Sequence, residues 1–125
     1  RGGQFSPNNE QWVLFPSAQA TTLDAALADK FNNFKSSITT FIPESIGVIG
    51  EARYVDNQTN FLRITLTLQA KTYSEIRALT QYTTELLQDI DQRDYPIVVR
   101  INSISETLVL IELSEDNKLD IIYTY

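Results

Sequence analysis

Residues 60–113 constrain the fold of this chain more than any other segment. Leu62 to Ala70 alternates apolar and polar side chains, which predicts a strand with one buried face. Thr72 and Glu75 have the spacing of a capping box, and the apolar residues after them recur at steps of three and four, which predicts a helix over 72–91. Two further strands are predicted at 95–103 and 107–113. Strand, helix, strand and strand therefore follow one another with almost no linker.

The residues before this segment predict a strand, a long helix and a second strand. Gln11 to Phe15 is a short strand candidate that Pro16 stops, and 46–55 alternates like a strand with one buried face. Between them, Thr21 or Thr22 can cap a helix that Pro43 must end. That helix has one apolar stripe, formed by Leu23, Leu27, Phe31, Phe34, Ile38 and Phe41.

The order strand, helix, strand, strand, helix, strand is that of a ferredoxin-like α+β domain, a two-layer sandwich with both helices on one face of an antiparallel or mixed sheet. In that topology the strand from Gln11 lies between the strands at 61–70 and 95–103. The strand at 107–113 and a last strand at 119–125 add a C-terminal β-hairpin. We predict a flexible tail over residues 1–10 and a single α+β domain over residues 11–125.

The chain lacks the residue types on which most enzyme sites depend. Its 125 residues contain no cysteine and no histidine, which excludes disulfides, thiol catalysis, Ser-His-Asp triads and His-based metal sites. The four glycines lie at positions 2, 3, 47 and 50, so there is no glycine-rich phosphate loop. We expect a protein that is not an enzyme, with no metal and no cofactor.

The charge and hydropathy of the chain argue against two further classes of partner. A net charge of −6, with ten scattered Lys and Arg residues, argues against nucleic acid binding. No apolar run approaches the roughly 20 residues of a membrane span, so we expect no direct membrane insertion. The chain begins with Arg1 and has no methionine, so we expect a piece of a longer polypeptide, with any membrane anchor outside it. Its composition fits an extracytoplasmic domain, although many cytosolic domains share it.

Two groups of charged residues are candidate sites. Asp89, Asp91 and Asp94 lie at the end of the second predicted helix, but they lack the glycine and distal glutamate of a calcium loop, which favours a solvated helix end.

The second group comprises Arg53, Arg63 and Arg100, on the polar side of their predicted strands. A tight turn about Gln58 places Arg53 opposite Arg63, where two guanidinium groups could hold a carboxylate or a phosphate. The alternative, which the frequency of surface ion pairs favours, is that Glu51 and other acids neutralise them on an open sheet face.

The C-terminal hairpin has apolar residues in consecutive positions, at 108–111 and at 121–123. A strand that is apolar on both faces needs two covering layers, whereas two helices on one side of the sheet provide one. We therefore predict a partner surface on this hairpin, with the interface residues Leu108, Leu110, Ile121 and Tyr123.

Two functions from different classes fit these observations. The first is a non-enzymatic interaction or assembly domain of a larger, membrane-anchored protein, which forms a homo-oligomer or binds a partner protein through the C-terminal hairpin. The second is a small-molecule sensory or regulatory module that binds an anionic ligand through Arg53, Arg63 and Arg100. The sequence leaves both open, because fold does not imply function and no catalytic motif is visible.

Overall fold

The structure, a computed structural model, describes residues 10–42, 46–69, 71–88, 90 and 95–124. Within these residues the strands are β1 (Glu10–Phe15), β2 (Ile46–Val55), β3 (Gln58–Leu68), β4 (Ile97–Asn102), β5 (Thr107–Leu113) and β6 (Leu119–Tyr123). The helices are α1 (Ala18–Leu23), α2 (Ala25–Phe41) and α3 (Tyr73–Gln88). The α+β class predicted from the sequence is therefore confirmed.

The strands form one mixed sheet in the order β1-β2-β3-β4-β5-β6. Neighbouring strands are antiparallel except β3 and β4, which are parallel because α3 carries the chain back between them. α2 packs on β2, α3 packs on β5, and the two helices contact each other. One face of the sheet therefore carries the hydrophobic core, whose fully buried side chains include Leu62, Ile64, Ile97, Val99 and Ile111.

The strand order contradicts the ferredoxin-like prediction. That topology places β1 between β3 and β4, whereas β1 lies at the edge of the sheet beside β2, and β3 pairs directly with β4. The physical reason is the connection between β1 and β2. One helix between two strands returns the chain in the same direction, as α3 does for β3 and β4. Two helices reverse the chain once more, so β2 lies antiparallel beside β1.

This extra reversal comes from a break at Asp24, inside the region that the sequence predicts as one helix. Asp24 ends α1, and its carboxylate accepts a hydrogen bond from the Leu27 backbone N–H as the N-cap of α2. The same carboxylate accepts a hydrogen bond from the Thr59 hydroxyl, with an O···O distance of 3.3 Å. Helix α2 therefore starts at the end of the sheet where β2 turns into β3.

The other predicted elements lie close to their predicted positions. β2 and β5 match the predicted bounds, and the Thr72–Glu75 capping box forms at the start of α3. The hydroxyls of Thr21 and Thr22 donate to main-chain carbonyls one turn earlier, and Ser17 caps α1 instead. The predicted tail lies outside the described residues, except for Glu10, which begins β1.

Helix α2 contacts the sheet at Gly50, in the middle of β2. A Cβ atom at Gly50 would lie 2.8 Å from Cε1 of Phe31 and 3.2 Å from Cβ of Phe15. Both phenylalanines are buried, and their ring centroids are 5.7 Å apart. The missing side chain at Gly50 therefore lets the Phe31 ring of α2 rest directly on β2.

Tyr54 places a phenol group in the same core. Its side chain is buried, and its hydroxyl has no hydrogen-bond partner among the described residues. Burial raises the pKa of Tyr54 above its ordinary value of 10.0; the neighbouring Thr59 hydroxyl partly offsets that rise, and the negative charge of Asp24 adds to it. The folded state therefore favours neutral Tyr54.

Replacing Gly50 by alanine is expected to destabilise the fold by about 1–3 kcal/mol, because the new methyl group must push Phe31 away from β2. Gly47→Ala is the matched control in the same strand, since a Cβ atom there meets Cβ of Thr67 at 3.7 Å, an ordinary contact. Urea unfolding measures the free energy of unfolding of both variants. Equal stability of the two variants would contradict this account of helix packing.

Replacing Tyr54 by phenylalanine is expected to stabilise the protein by about 1 kcal/mol at neutral pH, since it removes a buried hydroxyl without a partner. The folded-state pKa of Tyr54 is raised, so the stability that neutral Tyr54 contributes is complete below a pH of about 10 and is lost as pH rises through the folded-state pKa. The stability gap between Tyr54→Phe and wild type should therefore widen above a pH of about 10 in urea unfolding.

Tyr73→Phe, at an exposed ring on α3, is the control for the loss of one tyrosine hydroxyl. A gap between Tyr54→Phe and wild type that stays constant from neutral to strongly alkaline pH would contradict the assignment.

Candidate functional site

The sheet face opposite α2 and α3 carries the candidate site, and we call it the open sheet face. Along each strand, every second residue lies on this face: 10, 12 and 14 of β1, 47, 49, 51, 53 and 55 of β2, 61, 63, 65 and 67 of β3, 98, 100 and 102 of β4, 110 and 112 of β5, and 120 and 122 of β6. None of the described helices covers this face. Four of its apolar side chains are about half exposed: Trp12 at 46%, Leu14 at 58%, Ile49 at 54% and Ile122 at 43%.

Trp12, the single tryptophan of the chain, is held in a defined position on this face. Its ring meets the Phe61 ring edge to face, with the ring centroids 6.1 Å apart and an interplanar angle of 77°. The guanidinium carbon of Arg63 lies 5.2 Å from the Trp12 ring centroid, and that of Arg53 lies 6.0 Å from it. Both distances allow a cation–π attraction. Trp12 is therefore exposed and also fixed on several sides.

The predicted pairing of Arg53 with Arg63 is wrong. The turn between β2 and β3 contains only residues 56 and 57, both with positive φ, and a bulge shifts the register by one residue just before the turn. Arg53 consequently lies opposite Phe61, and Arg63 lies opposite Glu51.

Arg63 is neutralised by that neighbour. Its Nη2 lies 2.8 Å and its Nε 3.0 Å from the same Oε1 of Glu51, so the predicted alternative, an ion pair on an open face, is confirmed for this arginine. Arg53 has a neutral partner instead: its Nε donates to Oδ1 of Asn60 at 2.8 Å, and its Nη2 donates to the same oxygen. The positive charge of Arg53 is fixed in position without being cancelled by that partner.

The three predicted arginines lie on a diagonal across three adjacent strands. Arg53 of β2 faces Phe61, two residues before Arg63 on β3. Arg63 in turn faces Val98, two residues before Arg100 on β4. Diagonal neighbours in a sheet have Cα atoms about 7–8 Å apart, so long arginine side chains on them share one region of solvent. The structure thus brings Arg53, Arg63 and Arg100 onto one face, although no two of them are directly opposite.

The four predicted interface residues of the hairpin do not form one patch. Leu110 lies on the open sheet face opposite Arg100, whereas Leu108, at the register shift between β4 and β5, packs against the core; both are half-buried. Ile121 and Tyr123 lie on the opposite face, because β6 pairs with β5 through Ile111 and Val109, which point into the core. Ile121 packs against that core, and the Arg77 guanidinium lies 5.7 Å from the Tyr123 ring centroid. An interface made by the hairpin on the open sheet face would involve only Leu110 of the predicted four.

A polar cleft lies at the end of the sheet, beside the β2–β3 turn. Its volume is about 750 Å³. Its lining consists mainly of carboxylate, amide and hydroxyl groups, from residues that include Asp24, Asp56, Asn57, Thr59, Asn60 and Tyr95. Asn60 is also the residue that orients Arg53, so the cleft adjoins the open sheet face. These groups can hydrogen-bond a polar molecule.

The predicted acidic site falls on residues that the structure does not describe, since Asp89, Asp91 and Asp94 lie outside the described ranges. Within those ranges no group of three or more His, Cys, Asp or Glu side chains could hold a metal ion. No helix in the described part of the chain is long and apolar enough to cross a membrane.

Sequence reasoning missed the aromatic part of the open sheet face. Trp12 and Leu14 alternate with the buried Val13 and Phe15, so β1 is apolar on both faces. That is the pattern from which a partner surface was predicted on the hairpin, and the QWVLF segment carries the same signal.

Comparison with known proteins gives the family. The family model described as "CamS sex pheromone cAM373 precursor" matches residues 3–118. No curated protein sequence matches the chain.

Solved structures have the same fold. A crystal structure of the sex pheromone staph-cAM373 precursor matches with a TM-score of 0.81 and 23% identity, over 92% of this chain and 41% of that one. The C-terminal domain of the staph-cAM373 precursor from Staphylococcus aureus matches with a TM-score of 0.80 and 24% identity, over 94% of this chain and 35% of that one. A sex pheromone precursor from Lactobacillus salivarius matches with a TM-score of 0.81 and 22% identity, over 94% and 35% respectively.

The chain therefore spans about two fifths or less of the length of these solved relatives. At these identities the structures establish the fold, whereas the family model covers most of the chain. The chain accordingly belongs to the CamS family of sex pheromone cAM373 precursors.

Proposed function

We propose that this domain is a non-enzymatic interaction domain of a CamS-type precursor protein, and that its open sheet face binds another protein surface. The observation that carries the proposal is the exposure of Trp12, Leu14 and Ile49 on a face without a covering layer in the described structure. A sheet with apolar side chains on both faces is typically buried on both. Large exposed apolar residues that form a continuous area commonly mark interaction sites.

The contacts of Trp12 support the same function. Tryptophan and arginine are enriched among the residues that dominate binding energies. Trp12 is already ordered by Phe61, Arg53 and Arg63, so binding at this place costs less conformational entropy than binding through a free side chain.

We also propose an extracytoplasmic location. The relatives are described as sex pheromone precursors, and a pheromone acts outside the cell that makes it. The absence of cysteine from the chain is compatible with either compartment, so the proposal rests on the family alone.

Single cysteines test whether the open sheet face is covered in the natural setting, because the chain has no cysteine of its own. Leu14→Cys and Ile49→Cys should react rapidly with a polar thiol reagent in the chain alone at low concentration. They should react at least about tenfold more slowly in cells that carry the protein in its natural context, since a partner covering the face excludes the reagent.

Ser36→Cys, on the exposed side of α2, is the control and should react at the same rate in both settings. Protection that grows with the concentration of the chain alone would identify the partner as a second copy of the chain. Equal labelling rates at Leu14→Cys and Ile49→Cys in both settings would overturn the proposal.

A second candidate function is the binding of a small anionic ligand, which the diagonal of Arg53, Arg63 and Arg100 favours. Arg63 is engaged with Glu51, so the arginines whose charge would meet an anion are Arg53 and Arg100. Arginine forms bidentate hydrogen bonds with carboxylates and phosphates, and this supports a ligand of that chemistry.

A ligand that binds only the folded state raises the melting temperature, by an amount that corresponds to about 2.7 kcal/mol at 100 times its Kd. A panel of dicarboxylates and phosphate esters should then stabilise the wild type in thermal unfolding, and Arg100→Gln should abolish most of the shift. Lys30→Gln, on α2, is the control for the loss of one positive charge. No shift with any compound of the panel would leave this second function without support.

A further inference from the structure

We infer that the partner surface of the open sheet face is an acidic polypeptide segment that also carries apolar side chains, and that it docks on the half of the face formed by β1 to β4. We call this half the basic half-face, with Trp12, Leu14, Ile49, Arg53, Arg63 and Arg100 as its main residues. The inference rests on the proposed function and specifies the chemistry of the partner.

The charge distribution on the open sheet face gives the first argument. The charged residues of the basic half-face are three arginines, Glu10 and Glu51, which leaves it at a formal charge of +1 on a chain whose net charge is −6. The other half of the face, on β5 and β6, carries Glu112 and Asp120. An acidic partner is therefore attracted to one half of the face and repelled by the other, which orients it on the sheet.

The positions of the guanidinium groups give the second argument. Arg63 forms an ion pair with Glu51, which leaves less of its charge for a partner. Its guanidinium group instead lies against one side of the Trp12 ring. Arg53 is held by the amide of Asn60, which fixes the guanidinium group and leaves its charge available to a carboxylate. Arg100 is exposed on β4, beside the uncharged residues that face it on the two neighbouring strands.

Apolar contacts give the third argument. Trp12 and Leu14 are two residues apart on β1, and Ile49 lies on β2 in the next row along the sheet. Residues two apart on a strand are about 6.6 Å from each other, so these side chains are spaced like the side chains on one face of an extended peptide. A segment in which acidic and apolar residues alternate can pair its carboxylates with the arginines and pack its apolar side chains against Trp12, Leu14 and Ile49.

An anionic membrane surface has some of the same chemistry, since tryptophan, leucine and arginine also contact lipid headgroups. The net charge of −6 weighs against it, because a membrane surface repels the whole domain, whereas a peptide segment contacts the basic half-face alone. Vesicles are therefore included in the test as a separate outcome.

Trp12 fluorescence provides a direct measurement, because it is the only tryptophan and lies in the proposed site. Three short synthetic peptides are titrated: one of alternating Glu and Leu, one of alternating Lys and Leu, and one of alternating Glu and Ser. We expect saturable binding, with a shift of Trp12 emission to shorter wavelength, for the Glu–Leu peptide alone. The affinity should fall as salt is added, since the contacts are partly ionic.

Variants assign the binding to the basic half-face, with a fluorescently labelled Glu–Leu peptide as the probe. Trp12→Ala should weaken binding about 30-fold, which is the loss typical of a residue that dominates an interface. Arg53→Gln and Arg100→Gln should each weaken it about two- to fivefold, as expected for partly exposed charges. Lys30→Gln, on α2, should leave the affinity unchanged. Circular dichroism of each variant confirms that it is folded.

Equal binding of the Lys–Leu peptide, or no binding of the Glu–Leu peptide, would overturn the inference. Binding to vesicles of phosphatidylcholine with phosphatidylserine in preference to the Glu–Leu peptide would also overturn it, in favour of a membrane surface. In each of these cases protection of Leu14→Cys in cells would still support the proposed function, so the two failures are distinguishable. If Lys30→Gln weakened binding as much as Arg53→Gln, the loss would reflect the net charge of the protein. That result would contradict binding at the basic half-face.

Discussion

The Phe31 ring lies directly against the backbone of Gly50, and this contact lets α2 lie close on the sheet. A side chain at Gly50 would separate the helix from β2 by more than the interlocking of a well-packed core allows. With α2 on β2 and α3 on β5, the two helices span the sheet and bury one of its faces. The core of the domain is therefore one-sided, and the described helices leave the opposite face uncovered.

The contacts on that opposite face position side chains more than they stabilise the fold. The Glu51–Arg63 ion pair is partly exposed and contributes at most about 1 kcal/mol. Its larger effect is positional, because it holds the Arg63 guanidinium beside the Trp12 ring. Asn60 does the same for Arg53. The interaction proposed for this face would use the exposed Trp12 ring and the two arginines beside it.

Membership of the CamS family places this domain among sex pheromone precursors, and the domain spans less than half of the solved relatives. The polar cleft beside the β2–β3 turn adjoins the open sheet face at Asn60, so the cleft and that face meet at one end of the sheet.

The sequence by itself determined the local structure. Period-two alternation fixed β2 and β5 at their observed bounds, and the Thr72–Glu75 capping box fixed the start of α3, because these signals depend on neighbours along the chain. It also determined that Arg53, Arg63 and Arg100 share one face of the sheet, since alternation decides the face.

Only the tertiary structure decided how these elements and side chains meet. The break at Asp24 changed one helix into two and moved β1 to the edge of the sheet, although the apolar stripe runs through it without interruption. The two-residue turn at 56 and 57, together with a one-residue bulge, placed Arg63 opposite Glu51 and not opposite Arg53. Strand register and strand order depend on contacts between residues that are distant in sequence, and hydrophobic periodicity carries no information about which distant strand supplies them.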